Sequence, residues 1–131
     1  MVNDRIANLI NGLKTASIAK KESITIPSSK LTVSILELLK KEEFIADFSV
    51  KGDKIKKEAV ITLKYDENGL PAINDVRRVS RTSKRVYRNA DSIKSVKSGY
   101  GTAVVTTPKG VISGSEARKS KVGGEVLFEI W

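Results

Sequence analysis

Gly99-Tyr-Gly-Thr-Ala-Val-Val-Thr-Thr-Pro-Lys-Gly-Val-Ile-Ser-Gly-Ser-Glu-Ala-Arg118 is the stretch on which the fold turns. It predicts a strand, a tight loop, a short strand and then a capped helix. Thr102 to Val105 is dominated by β-branched residues, which fit a pleated surface. Thr106-Thr107-Pro108-Lys109-Gly110 breaks that run, because Pro108 fixes φ and Gly110 permits φ > 0. Such a turn sets two hydroxyls beside one ammonium, and small donors beside a cation can contact a phosphate backbone and a base edge together. Taken alone, the loop is a polar connection between two strands; only the rest of the chain gives it a further purpose.

Composition narrows what that purpose is. With 131 residues, the chain suffices for one domain or two small lobes. Its hydrophobic content of 40% supports a folded protein, and no apolar run is long enough to span a bilayer. The N-terminal residues lack the apolar core of a signal peptide. Cys and His are both absent, so disulfides, thiolate metal sites and the commonest general base are absent too. Ser-His and Cys-His nucleophilic catalysis are excluded. Lys and Arg number 24 against 15 Asp and Glu, a net charge of +9. That excess points to a polyanion, nucleic acid first. An anionic membrane would need a basic helix with a bulky apolar face, and simple solubility is the bland alternative.

Residues 3–18 place Ile6, Leu9, Ile10, Leu13 and Ala16 at helical spacing, with Asn3 or Asp4 as N-cap and Lys14, Lys20 and Lys21 toward the C-terminal end. Ile24-Thr25-Ile26 predicts a short strand stopped by Pro27, and Ser28 or Ser29 caps a second helix with the stripe Leu31, Ile35, Leu38 and Leu39. Phe44, Ala46, Phe48 and Val50 alternate, Gly52-Asp53 turns the chain, and Ala59, Ile61, Leu63 and Tyr65 alternate again, predicting an antiparallel hairpin. Lys51, Lys54, Lys56 and Lys57 gather at its tip, as a phosphate contact or as guards of an edge strand. Asp66-Glu67-Asn68-Gly69-Leu70-Pro71 reads as a boundary. Beyond it come a strand from Ile73 to Ser80, a basic hydroxyl-rich loop from Ser80 to Arg85, and Tyr87. Asp91 or Ser92 caps a helical turn with Ile93 and Val96 inward; Ser113 or Ser115 caps the last helix, which Gly123-Gly124 ends; Val126, Phe128 and Ile130 alternate in the final strand. The expected fold class is α+β in two small lobes. Residues 1–65 form an α-β-α-β-β lobe, 66–72 a linker, and 73–131 a mostly antiparallel β lobe with short helices.

Chemistry-bearing constellations are sparse. Glu42-Glu43 and Asp66-Glu67 are adjacent pairs at a junction and a linker, unsuited to acid–base tuning, and the glycine pairs match no phosphate-loop fingerprint. No enzyme activity, cofactor or metal is expected. Arg81, Ser83, Lys84 and Arg85 supply one basic loop, and Thr107 and Lys109 the other, both in the second lobe. Tyr87 is either a stacking or hydroxyl-donating contact or a core tyrosine. Aromatics are 5% of the chain, against extensive single-strand stacking, and no helix carries a dense basic stripe. Folded RNA, read by shape, phosphates and 2′-hydroxyls, fits better.

The chain resembles the bacterial small-subunit ribosomal protein eight (S-eight) family over essentially its whole length. The resemblance rests on Gly101-Thr-Ala-Val-Val-Thr-Thr-Pro-Lys-Gly-Val-Ile-Ser-Gly-Ser-Glu-Ala-Arg118 with Gly123-Gly124-Glu125-Val126, on Ser80-Arg81-x-x-x-Arg85-x-Tyr87, and on Asp4-x-Ile6-Ala7-x-Leu9 and Pro27-Ser28-Ser29-Lys30-Leu31. It implies a cytoplasmic protein of the small ribosomal subunit, bound to the central domain of 16S rRNA and assisting assembly. Neighbouring small-subunit proteins, the fifth among them, are the implied protein partners, and no membrane. Many bacterial members also repress their own operon through a similar mRNA hairpin; a basic adaptor without RNA specificity is the remaining alternative. By residue match, Thr106, Thr107 and Lys109 would contact RNA, with Tyr87 and the Arg81 loop beside them; the expected RNA-binding set also takes in Pro108, Ser83, Lys84 and Arg85 of the two loops and Lys14, Lys30 and Lys56 of the first lobe. The chain departs from the family's usual Ser-Thr-Ser at Thr106-Thr107-Pro108, losing the third hydroxyl. The usual Thr-Arg-Ile-Arg-Asn-Ala is Asn11-Gly12-Leu13-Lys14-Thr15-Ala16, which leaves one cation, a Lys that cannot bind bidentately. Thr82-Ser83 stands where Pro-Gly is common.

Overall fold

The structure, a computed structural model, describes residues 5–53 and 55–131. The chain divides into two compact units, residues 1–74 and 75–131. Both mix helix with antiparallel sheet, so the fold is α+β. The expected N-cap at Asn3 or Asp4, and Lys54, lie outside the described residues.

Unit 1 runs α1 (Arg5–Ile18), β1 (Ser23–Pro27), α2 (Lys30–Lys41), β2 (Ile45–Gly52), β3 (Lys57–Leu63), the expected α-β-α-β-β order. Its sheet has the order β1-β3-β2, antiparallel throughout. Ile6, Leu9, Ile10, Leu13 and Ala16 are buried on α1 as their spacing predicts. Leu9, Leu13, Ile35, Leu36, Leu39 and Ile61 are almost wholly removed from solvent, each worth about 1.5–3 kcal/mol of apolar transfer. Lys20 and Lys21 fall beyond α1 rather than in its last turn, because Lys20 takes left-handed backbone (φ 54) and the Lys21 N–H closes the helix on the Ala16 carbonyl.

Ser29 is the cap of α2: its hydroxyl accepts from the Thr32 N–H at 3.2 Å and meets the Thr32 hydroxyl at 2.9 Å. That cap turns Thr32 inward, so the buried stripe is Thr32, Ile35, Leu36 and Leu39 with Leu38 at its edge, and Leu31 is exposed, contrary to expectation. The alternation expected of β2 also fails. A bulge between Ile45 and Asp47 buries Ile45 beside Phe44 and turns Ala46 outward, while Val50 on this edge strand is exposed. Asp47 pairs with Lys40 at 3.0 Å, and that hydrogen bond above all, with the Phe48 N–H behind it, holds its carboxyl below the usual carboxylate range. At the β2–β3 tip Gly52 takes φ +107, where a Cβ would lie 2.0 Å from the Lys56 carbonyl oxygen. Residues 66–72 form a closed turn in unit 1: the Asp66 carboxylate accepts from the N–H groups of Asn68 and Leu70, and Tyr65 bridges Pro71.

Unit 2 contains β4 (Val76–Arg78), β5 (Tyr87–Arg88), 3-10 turns at Ala90–Ser92 and Lys97–Gly99, β6 (Thr102–Thr107), β7 (Gly110–Ser113), α3 (Gly114–Ser120) and β8 (Gly124–Ile130). The sheet order is β4-β8-β6-β7, and β5 shares the β4 edge of β8. The strand expected over Ile73–Ser80 shrinks to β4, because Val79 and Ser80 both direct their N–H groups at the Leu127 carbonyl, where a bulge shifts β8. Asn89, not Asp91 or Ser92, caps the first 3-10 turn, and Ile93 and Val96 point inward as expected. Ser113 caps α3, but Lys121 in left-handed backbone, not Gly123-Gly124, ends it. One core cluster joins Ile93, Val96, Ala103, Val105, Ala117 and Val126, with Val79, Ile112 and Trp131 against it. This cluster lies between α3 and one face of the sheet.

Candidate nucleic-acid interface

Cross-strand partners in an antiparallel sheet point to the same side. Val126, Val105 and Ile112 form the rung facing the α3 core. The next rung, Tyr87–Glu125–Thr106–Val111, therefore faces the opposite way. With strands about 4.8 Å apart, Tyr87 and Thr106 stand about 10 Å from one another across Glu125. Two loops distant in sequence thus meet at one end of one sheet.

The β6–β7 turn is tighter than the sequence suggests. β6 continues through Thr106 and Thr107, and β7 resumes at Gly110 (φ +119), leaving only Pro108-Lys109 between them. The Thr107 hydroxyl donates to the Gly110 carbonyl at 2.8 Å and accepts from the Lys109 N–H at 3.1 Å. It closes the turn and has little hydrogen-bonding capacity left for a ligand. The Thr106 hydroxyl has no hydrogen-bond partner among the described residues and is half-buried. Of the two adjacent hydroxyls, Thr106 is the one left open to a ligand. Pro108 and Lys109 are exposed, and Lys109 has no ion-pair partner among the described residues.

The second loop is also closed on itself. Arg81 and Lys84 exchange two backbone hydrogen bonds of 3.0 Å, so Thr82-Ser83 occupies the apex without needing Pro-Gly. Arg81, Ser83 and Lys84 are exposed, and Arg81 and Lys84 have no ion-pair partner among the described residues. Arg85 differs: its guanidinium meets the Glu125 carboxylate at 3.1 Å. The Ser80 hydroxyl donates to the same carboxylate and accepts from the Val86 N–H. Glu125, its side chain only 12% exposed, is thus the hub that fixes the loop base to β8. Tyr87 is 69% exposed, which removes the core-tyrosine reading. Glu125 itself was not expected, since one acid in an alternating strand looks like a solvent-facing residue. Its place after Gly123-Gly124 was the available signal. A Cβ on Gly124 would lie 2.2 Å from the Thr106 carbonyl oxygen, so the missing side chain is what lets β6 lie against β8 here.

Three candidates lie in unit 1. Lys14 is half-buried on α1, Lys30 opens α2 and is exposed, and Lys56 is exposed at the β2–β3 tip with Lys51 and Lys57. Arg5, which sequence reasoning passed over, donates to the Ser28 carbonyl at 3.0 Å, two residues before Lys30.

Comparison with known proteins bears on what this surface meets. The sequence profile described as Ribosomal protein S8 matches residues 4–131. The chain is 46% identical to the small ribosomal subunit protein uS8 of Helicobacter acinonychis (strain Sheeba), over 100% of both chains. It is 47% identical to that of Helicobacter pylori (strain Shi470), again over 100% of both. Against that of Mycoplasmopsis pulmonis (strain UAB CTIP) the identity is 43%, covering 100% of this chain and 98% of the relative.

Proposed function

The chain belongs to the ribosomal protein S8 family, and from that premise we propose that it binds the central domain of 16S rRNA and assists assembly of the small ribosomal subunit. It is a ribosomal protein, not an enzyme. The observation that carries the proposal is the single rung joining Tyr87, Glu125 and Thr106, with the cations of both loops around it. Thr106 offers a free hydroxyl to a base edge or ribose, Tyr87 offers a ring and a phenol, and Lys109, Arg81 and Lys84 attract phosphates. Glu125 and Thr107 hold the two loops in place. Lys14, Lys30 and Lys56 are weaker phosphate contacts from unit 1. Neighbouring small-subunit proteins, the fifth among them, are the proposed protein partners in the cytoplasmic particle. The site is built entirely from residues of this chain, so an operon mRNA hairpin of the same shape would fill it, and translational repression follows as a second reading.

Binding to a 16S central-domain fragment and to a scrambled hairpin, each across a salt series, tests this. The native fragment should bind more tightly at every salt concentration, and Thr106→Ala should lower its affinity about tenfold, the scale of one buried hydrogen bond. Equal affinity for both RNAs would reduce the protein to a basic adaptor and end the proposal.

A further inference from the structure

The turn that leads into the strand carrying Thr106 holds an unexplained aromatic residue. Tyr100 is 89% exposed, the joint most exposed large hydrophobic residue of the described chain. Three hydrogen bonds fix the turn that presents it: Gly99 and Gly101 both donate to the Val96 carbonyl, at 3.0 Å each, and Tyr100 donates to the Lys97 carbonyl at 3.1 Å. Gly101 is pressed into the core; a Cβ there would lie 2.6 Å from Val96 and 2.7 Å from the Ile130 carbonyl oxygen. The ring is therefore held outward by a rigid support. Beside it, the Lys97 ammonium sits 4.6 Å above the Trp131 ring. Trp131 is anchored in turn by two backbone hydrogen bonds to Asp75 and by packing on the core cluster. From Ser92 to Ser115 the chain carries Lys94, Lys97 and Lys109 and no carboxylate.

We propose that Tyr100, Lys97 and Trp131 form a second RNA-docking surface, on which one unpaired base stacks on Tyr100 while Lys97 takes the adjoining phosphate. The proposal rests on the reading of this chain as an RNA binder but uses none of the residues of that site. An exposed ring on a fixed support loses little freedom on stacking, and a base offers a π-face whatever its identity. A cation already held in place favours a phosphate over an apolar protein surface, whose core excludes lysine. Thr106 follows Tyr100 by six positions in the chain, a span of at most about 20 Å at the rise of a strand. One hairpin can engage Thr106 while a bulge or loop elsewhere in the RNA reaches Tyr100.

Trp131 is the only tryptophan in the sequence, so its fluorescence reports on this end alone. The full chain is titrated with single-stranded hexa-adenylate at low salt, following that emission. Emission should change on binding; Tyr100→Ala should weaken the affinity about tenfold, Tyr100→Phe should restore it, and Thr106→Ala should leave it unaltered. Because Tyr100 is exposed, circular dichroism of the Ala variant should match the parent. Emission that does not respond, or an affinity indifferent to Tyr100→Ala, overturns the proposal. So does a Tyr100→Ala variant that binds hexa-adenylate normally but no longer joins small-subunit particles, which would assign the surface to a protein. Loss of central-domain binding in Thr106→Ala with the hexa-adenylate response intact keeps the two sites distinct, and failure of the first reading alone leaves this signal standing.

Discussion

The Thr107 hydroxyl donates to Gly110 and accepts from Lys109, so Thr107→Val removes both bonds and leaves a turn closed only by its backbone pair. We expect a loss of about 1 kcal/mol in stability, read by denaturant unfolding, together with a weaker RNA affinity that follows from the loosened turn. Thr106→Ala should behave in the opposite way, with unchanged unfolding and reduced RNA affinity. A Thr106 variant that unfolds early while its binding stays normal would reverse the two assignments. Glu125→Gln keeps the size of the side chain but gives up the ion pair with Arg85. Arg85 is half exposed, so the pair itself is worth little in water. The larger effect is on order. Hydrogen exchange at the Val86 amide, which bonds the Ser80 hydroxyl held by Glu125, should speed up in the variant. Unchanged exchange would show that the backbone alone fixes this loop.

The β2–β3 tip responds to pH through one carboxylate. Asp53 accepts hydrogen bonds from the Lys56 and Ile55 N–H groups, and these hold its carboxyl below the ordinary range. A depressed folded-state value means that its stabilisation is fully present above the unfolded value of about 3.9 and is lost as pH falls through the depressed one. The amide resonances of Ile55 and Lys56 should therefore move on acidification below about pH 4, and Asp53→Asn should abolish that movement. Gly124→Ala, by contrast, drives a methyl against the Thr106 carbonyl and should cost about 1–3 kcal/mol in unit 2. The helical stripe of α1, the cap-bearing loop before α2 and the strand β3 were legible because each depends on neighbours three or four residues away, or on strict alternation, as at Ala59, Ile61 and Leu63. What was not legible depends on distant partners. Ala46 turns outward because of a bulge, Leu31 because Ser29 draws Thr32 inward, and Gly123-Gly124 looked like a helix stop because the approaching strands are not visible locally. In the candidate site the residue types of both loops were readable. The division of labour between Thr106 and Thr107, and the hub at Glu125, were not, since Ser80 and Glu125 lie 45 residues apart.

For the molecule as a whole, the net charge of +9 is an attraction without an address. On the proposed reading, specificity comes from the few groups that the sheet of unit 2 gathers at one end. Lys109→Ala should therefore weaken binding to native and scrambled RNA alike and flatten the salt slope by about one unit, whereas Thr106→Ala should affect the native fragment alone. The sheet of unit 2 also imposes an order in time. β8 lies between β6 on one side and β4 and β5 on the other, yet it follows all of them in the chain. Unit 1 has every strand it needs once β3 is made, while the strands of unit 2 that lie beside β8 wait for it. Protein synthesis runs from the N-terminus, so a nascent chain extending only to Val122 should show amide protection in unit 1 and none across β4, β5 and β6. Such a chain carries both basic loops and cannot yet align them. On the proposed reading, a strand made after both loops is what turns two separate basic loops into one recognition surface.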